Sequence, residues 1–507
     1  MTESSLFKKV LVANRGEISI RVIRACKEMG IATVAVYSEA DRSALHVRAA
    51  DEAYCIGSPP SRQSYLSIDR IIDVAKTTGC EAIHPGCGFL SERADFAERC
   101  ANEQITFIGP NPDAIRVMAD KISSRLVAVE AAVPVVPGML EKLRNEDHAR
   151  EWAEKIGYPL MIKAAAGSGG KGMRKVDRSE NLLASFRAAK SEARNSFAND
   201  TLYMERYVEN PRRVEIQVLA DKHGNIIHCA ERECSIQRRH QKIIEEAPST
   251  VMNDELRGRM GEAALCIARA IHYDSAGSVE FIVSGKTGDF FFSKMHTRLQ
   301  LEHPVTEAIL GIDLCREMIR IAAGQPLTYR QDEIRIHGHA IECRIYAEDP
   351  DNNFLPSFGK ITELRLPGGP GVRDDSAIYP GLDVPVYYEP MLSKLVVWGG
   401  TREECIARTT RALSEYIVNG IRTTIPFHER VMQNEHFLAG DYDSSFIDTK
   451  SEEHDAERGK AYTDAALIAA LIKVFRRDRE RASQNLKAPV NGPGGLVSAW
   501  KMSGRVT

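Results

Sequence analysis

The chain opens with a short apolar run, a helical stretch and a second apolar run, and this order commits its first part to a parallel sheet. Residues 8–14 read KKVLVAN. After Arg15-Gly16-Glu17 comes ISIRVIRACKEMG, in which Ile18, Val22, Ile23 and Cys26 recur at helical spacing and Gly30 closes the segment. ATVAVYS follows as a second strand. Two strands joined through a helix run in the same direction, because the helix returns the chain to the starting edge. The alternation continues through Ile83-His84-Pro85 and Phe107-Ile108-Gly109.

The pattern changes between about residues 135 and 207. Tyr158-Pro159-Leu160-Met161-Ile162-Lys163 reads as a strand and runs into AAAGSGGKGMRKV, a loop of small residues. A helix and the strand Leu202-Tyr203-Met204-Glu205 follow, as in a small inserted domain with a mobile glycine-rich tip. Further on, VEIQVLA, SVEFIV, DFFFSKMH, AIECRIYA and SKLVVWG read as strands of a mixed α+β region. After residue 450 the sequence turns polar, then amphipathic (DAALIAALIKVFRRDRERA), then rich in Gly and Pro. The expected division is 1–118, an N-terminal α/β domain; 119–207, a region containing the glycine-rich lid; 208–450, the core and C-terminal domain; and 451–507, a linker, helix and tail.

Charge excludes some partners. Lys and Arg number 67 against 70 Asp and Glu, a net charge of -3, so no large positive field is left to hold nucleic acid or an anionic membrane. No apolar run is long enough for a membrane span. The first residues lack the basic-then-apolar order of a secretion signal. The 11 cysteines are scattered singly, as free thiols of a reducing compartment would be, and a cytoplasmic location is expected.

Three clusters carry chemistry. The first is Lys163 followed by Gly167, Ser168, Gly169, Gly170, Lys171 and Gly172. Glycines let backbone N–H groups approach phosphate oxygens, and the lysine adds a point charge. A flexible surface turn would read the same way. The second runs from Glu231 through Gln237, His240 and Lys242 to Glu245-Glu246. It is either a solvated loop or a set of groups for phosphate and carboxylate oxygens. In the third, Glu280 and Lys294 stand about symmetrically around a short turn and could face each other across a hairpin. Arg298, Gln300, Glu302 and His303 follow, with Arg298 and Glu302 open to a structural ion pair.

The motifs ANRGE, IHPGCGFLSE, ERECSIQRRHQKIIEEAP, VEF, TRLQLEHPVTE and ECRIYAEDP appear in that order. Over about residues 8–445 the chain resembles the biotin carboxylase subunits and domains of biotin-dependent carboxylases of the acetyl-CoA, propionyl-CoA or pyruvate carboxylase type. The resemblance implies an ATP-grasp α/β fold: an N-terminal parallel-sheet domain, a small mobile lid domain and a mixed α+β C-terminal domain. It implies carboxylation of biotin by ATP and bicarbonate through carboxyphosphate. Lys121, Lys163 and the flap glycines Gly167, Gly169, Gly170 and Gly172 would hold phosphates. Glu205 and the Val208 backbone would hold adenine, and Gln237 and His240 would lie near ribose and phosphates. Glu280 would ligate Mg2+ or Mn2+. Lys242, Arg298, Gln300 and the Leu301 backbone would cradle bicarbonate, Glu302 would act as base and Arg344 would stabilise charge on the biotin oxygen. No biotin-attachment motif of the AMKM type appears, so biotin would arrive on a carrier protein and the carboxyltransferase would be another subunit. Homodimerisation is implied, with Arg24 in the corresponding interface region. A carbamoyl-phosphate synthetase-like ligase would carry a tandem duplication, which the sequence lacks.

The sequence departs from the family pattern inside the site. Lys294 stands where an acidic metal ligand is expected and His296 where asparagine is expected. Arg213 replaces a usual histidine, Cys87 a tyrosine and Arg93 an asparagine, and the flap AAAGSGG holds fewer glycines than usual. Weakened bicarbonate-dependent turnover is expected from these changes, the alternative being a non-catalytic scaffold.

Overall fold

The computed structural model of the protein describes residues 6–167, 170–285 and 287–449, together with residue 473. Gly169 of the expected flap and, apart from residue 473, the expected linker, helix and tail lie outside the described residues.

Five strands form the first sheet, in the spatial order Glu52–Gly57, Ala32–Ser38, Lys9–Val12, Ala82–His84, Thr106–Phe107. All four pairings are parallel, as the strand–helix–strand spacing requires. The chain begins in the middle, builds outward in one direction and then reverses. The reversal opens a crevice beyond the ends of Lys9–Val12 and Ala82–His84, where open α/β sheets place their ligands. Asn14 ties that crevice together: its side-chain amide donates to the carbonyls of Pro85 at 2.7 Å and Cys87 at 2.8 Å.

Eight strands form the central sheet, ordered Phe290–His296, Ala276–Ser284, Pro211–Ala220, Ile226–Arg238, Gln241–Ala247, His339–Tyr346, Met391–Gly399, Val372–Ser376. Every neighbouring pair is antiparallel. The polar stretch from Glu231 to Ala247, open to a loop reading from its composition, is instead two adjacent buried strands in the middle of this sheet. Side chains alternate between faces. Val214, Ile216, Val218, Val279 and Phe281 pack with residues of the helix Asp254–Ala270, such as Met260, Ala264 and Ile267. On the other face, register aligns charges: Lys294 opposite Glu280, Glu280 opposite Glu215, Glu215 opposite Arg232.

A local irregularity makes that row possible. Glu280 pairs with Lys294 but Phe281 pairs with Phe292, so Ser293 is an extra residue in its strand. Such a bulge re-aims the side chains beyond it. Phe292 therefore packs into the apolar core while Lys294 joins the charged face.

A third, three-stranded antiparallel sheet holds Arg174–Val176, Leu160–Ala164 and Leu202–Arg206, with the helix Leu182–Phe197 packed on it. Lys163 lies on the middle strand. Gly170 adopts φ +75°, and a Cβ there would collide with the His240 ring, so the turn closes on His240 only because the residue is glycine.

Phe292 is 1% exposed and its backbone N–H donates to the Pro134 carbonyl at 2.7 Å. Phe292→Ala is expected to lower the free energy of unfolding by about 3–5 kcal/mol, seen as an earlier midpoint in chemical denaturation. An unchanged midpoint would show that this strand is not anchored by its apolar side.

Candidate active site

A buried carboxylate, Glu302, sits between two cations. The Lys242 ammonium contacts its Oε1, and Arg344 Nη2 donates to its Oε2 at 2.8 Å. Lys242 also contacts Glu215 and lies 3.3 Å from Gln300 Oε1. Glu215 is held from its other side by Arg232 at 3.2 Å. Arg344 further contacts Glu245. Burial by itself would raise Glu302, but Lys242 and Arg344 outweigh it and hold the carboxyl well below the usual range. Glu245 moves the other way: burial raises it, and Arg344 offsets only part of the rise. The site thus keeps one carboxylate firmly ionised beside another pushed toward its acid form.

Arg298 does not pair with Glu302 among the described residues. Its guanidinium meets Glu92 at 2.9 Å, Cys87 Sγ at 2.9 Å and the Leu299 carbonyl at 3.2 Å. It therefore stands at the crevice of the parallel sheet, and Cys87 has taken a direct contact with it. Arg93 is remote in role: it forms a solvent-facing pair with Asp95.

A second group gathers near the three-stranded sheet. Lys163 and Arg125 both reach Glu205, Arg125 at 3.0 Å. Lys121 donates to the Ala164 carbonyl at 2.8 Å. Burial, then the charges of Lys163 and Lys294, push Lys121 down to about 8. Crowded lysines of this kind form a site for a polyanion, since each added negative charge relieves their repulsion. Gln237 donates to the Cys234 carbonyl at 2.7 Å. His240 lies under the Gly170 turn, held below the ordinary histidine range by burial and by Arg213, Lys163 and Lys294. Val208 follows the strand Leu202–Arg206 by two residues.

Between the two groups lies Glu280, and three of the departures from the family pattern converge on it. Its Oε1 accepts from Arg213 Nη1 at 2.8 Å and Ser293 Oγ at 2.9 Å. Its Oε2 lies 3.4 Å from the Lys294 ammonium and 3.6 Å from His296 Nε2. Burial would raise Glu280, but Lys294 and Arg213 hold it well below the usual range. Burial and Lys294 lower His296, so that ring is neutral at pH 7. Glu215, Glu280 and His296 do place ligand-type atoms within 4.8 Å of one another. However, both oxygens of Glu280 already face protein cations or a hydroxyl. A divalent ion about 4 Å from the Lys294 ammonium would be repelled by about 8 kcal/mol at an effective dielectric of about 20, less where water screens it. The residues present do not fit a metal ion at Glu280.

Sequence reasoning missed Glu215 and Lys394. Glu215 interrupts an apolar strand at the alternate position, a pattern that marks an inward charge once the sheet face is known. Lys394, in the strand Met391–Gly399, is fully buried; it donates to the Leu301 carbonyl at 2.8 Å and meets Glu17 at 3.2 Å. It holds the turn bearing Gln300, Leu301 and Glu302 from behind. Glu17 belongs to ANRGE, but only the fold shows what it faces.

A strand-borne lysine beside a glycine turn, set against an antiparallel sheet with a buried acid–base cluster, defines an ATP-grasp ligase. Residues 6–115 match the biotin carboxylase N-terminal domain, 120–330 the carbamoyl-phosphate synthase L chain ATP-binding domain, and 342–449 the biotin carboxylase C-terminal domain. A pyruvate carboxylase subunit of Methanothermobacter thermautotrophicus is 53% identical over 479 residues, 94% of this chain and 97% of that one. Biotin carboxylase 1 of Bacillus subtilis is 51% identical, covering 88% of this chain and 99% of that one. The biotin carboxylase domain of Hydrogenobacter thermophilus 2-oxoglutarate carboxylase, solved with MgADP and bicarbonate, superposes with a TM-score of 0.86 at 46% identity, covering 88% of this chain and 98% of that one. The chain belongs to the biotin carboxylase family, whose members are ATP-dependent ligases. Among the described residues no helix is long and apolar enough to cross a membrane.

Removing the charge of Lys394 would leave Glu17 buried without its cation, while Asp375 would keep Arg373 at 2.7 Å. Lys394→Met is expected to cost about 3–5 kcal/mol of stability. Adding Glu17→Gln should return part of that loss, and a double-mutant cycle with no coupling between the two would refute the pairing.

Proposed function

We propose that this chain carboxylates biotin presented on a separate carrier protein, using ATP and bicarbonate, with turnover restrained at Glu280. The observation that carries the reading is the Lys242–Glu302–Arg344 cluster. Arg298, at the crevice of the parallel sheet, would add a further cation for bicarbonate. A relative of the same fold holds MgADP and bicarbonate, which supports both ligand classes.

Lys121, Lys163 and the flap glycines would bind the phosphates. Glu205 and the Val208 backbone would take the adenine, and Gln237 and His240 the ribose side. Closure of the flap over the phosphates excludes water, which would otherwise hydrolyse carboxyphosphate. Bicarbonate would lie among Lys242, Arg298, Gln300 and the Leu301 backbone. Glu302 is a weak base while both cations hold it. An anion that draws Lys242 toward itself releases part of that hold and raises the basicity of Glu302 when a proton must be removed. Arg344 then faces the negative oxygen that develops on biotin. Biotin carboxylase subunits work with a carrier and a carboxyltransferase, and those are the partners proposed here, with a second copy of the chain.

The restraint follows from geometry: Arg213, Lys294 and His296 crowd the carboxylate that would meet the metal of the nucleotide. Biotin- and bicarbonate-dependent ADP release should therefore be slow, and Lys294→Glu with His296→Asn should raise it by about tenfold or more, a change of about 1.4 kcal/mol in barrier. Ordinary turnover in the unmodified chain would refute the restraint. No turnover in either protein would favour a non-catalytic subunit that keeps the fold.

Lys121 supplies a pH test. With its pKa at about 8, it is charged at pH 7 and loses its proton as pH rises further. Nucleotide affinity is expected to be flat below pH 7 and to weaken through pH 8, with proton uptake on binding. Lys121→Arg, which stays charged, should abolish the decline. A profile identical in both proteins would remove Lys121 from the phosphate site.

A further inference from the structure

We propose that Arg213 and Lys294 take the place of a metal ion at Glu280, so that nucleotide phosphates are held there by protein cations and bind without a divalent ion. The inference rests on the nucleotide reading above and specifies what neutralises the phosphates.

The sheet itself builds the substitution. Lys294 is directly opposite Glu280 across one strand pair, and the bulge at Ser293 turns it onto the charged face. Arg213 comes from the strand on the other side of Glu280 and reaches the opposite carboxylate oxygen at 2.8 Å. Glu280 is thus gripped from both neighbouring strands, one cation to each oxygen. An ion entering between them would have to displace both.

Neither cation is consumed by that grip. The Lys294 side chain is 36% exposed and the Arg213 side chain 20%, while Glu280 beneath them is 2% exposed. Lys294 stands near enough to Lys121, and Arg213 and Lys294 near enough to His240, for their charges to lower those groups. The Gly170 turn lies against His240. An anion under that turn therefore meets Lys121, Lys163, Lys294 and Arg213, against the carboxylates of Glu205 and Glu280. Glu280 acts as the anchor that fixes two cations toward the phosphates.

His296 offers a competing arrangement. Its Nε2 is buried without a hydrogen-bond partner and lies 3.6 Å from both Glu215 and Glu280. One imidazole with two carboxylates would suit Mn2+ or Zn2+ better than Mg2+. Lys242 on Glu215 and the Arg213–Lys294 pair on Glu280 oppose it.

Calorimetric titration of the full chain with ADP and with ATP, in EDTA and in excess Mg2+ or Mn2+, separates these outcomes. The expected result is affinity in EDTA within about threefold of that in Mg2+, a small step on a scale where about 1.4 kcal/mol is tenfold. Lys294→Met should weaken binding in EDTA by about tenfold. Lys294→Glu should weaken it further and make Mg2+ restore affinity. Thermal melting of each variant checks that it is folded. A loss of about tenfold or more on removing Mg2+ from the unmodified chain would overturn the substitution while leaving the nucleotide site intact. Tighter binding in Mn2+ that His296→Ala abolishes would overturn it in favour of a metal. Absence of nucleotide binding in every condition would overturn both this inference and the reading beneath it.

Discussion

The structure depends most on the contact between Glu302 and the two cations that flank it. A carboxylate buried to this depth is tolerated only when its charge is met at close range. Lys242 and Arg344 meet it, and each is itself balanced by a further acid, Glu215 or Glu245. The chain of alternating charge then runs on to Arg232, which donates further to Gln217 and Thr306. Because Lys242 lies on one strand, Arg344 on another and Glu302 at the entrance to a helix, the contact fixes three elements at once.

Antiparallel register explains why so many charges line up. Each pairing sets residues opposite one another on the same face, so a single charged position in each of several strands yields a continuous row. Lys294, Glu280, Glu215 and Arg232 form such a row. The row is sensitive to substitution: replacing one member changes what its neighbours face. That is how the residue at position 294 sets the surroundings of Glu280, and why Arg213, from the strand on the other side, completes them.

The parallel sheet was legible from the first residues, because strand, helix and strand at that spacing leave few alternatives. The glycine flap and its lysine suggested a phosphate loop only alongside the other motifs, since small-residue turns are common. The facing of Glu280 and Lys294 followed from their positions about a turn, although the bulge at Ser293 that enables it carries no sequence signal. The polar segment from Glu231 to Ala247 was open to misreading, because buried strands in an ionic interior look like solvated loops when charges are counted without their partners. Lys394 was invisible for the same reason. Its burial depends on Glu17, remote in sequence, and on a carbonyl that any residue could have supplied.

Glu17 stands in the first turn of the helix Gly16–Glu28, and Lys394 in the central sheet. Their pairing means that the opening segment and the later strands complete each other's interiors. A polypeptide severed early in the chain, between the first sheet and the central one, would leave Glu17 in one piece without its cation and Lys394 in the other with Asp375, at 3.9 Å, as its remaining acid. Such pieces should be poor independent folding units and should recombine rather than persist apart. For anyone transplanting this scaffold, the natural unit of exchange is the whole of residues 6–449, not its separate sheets.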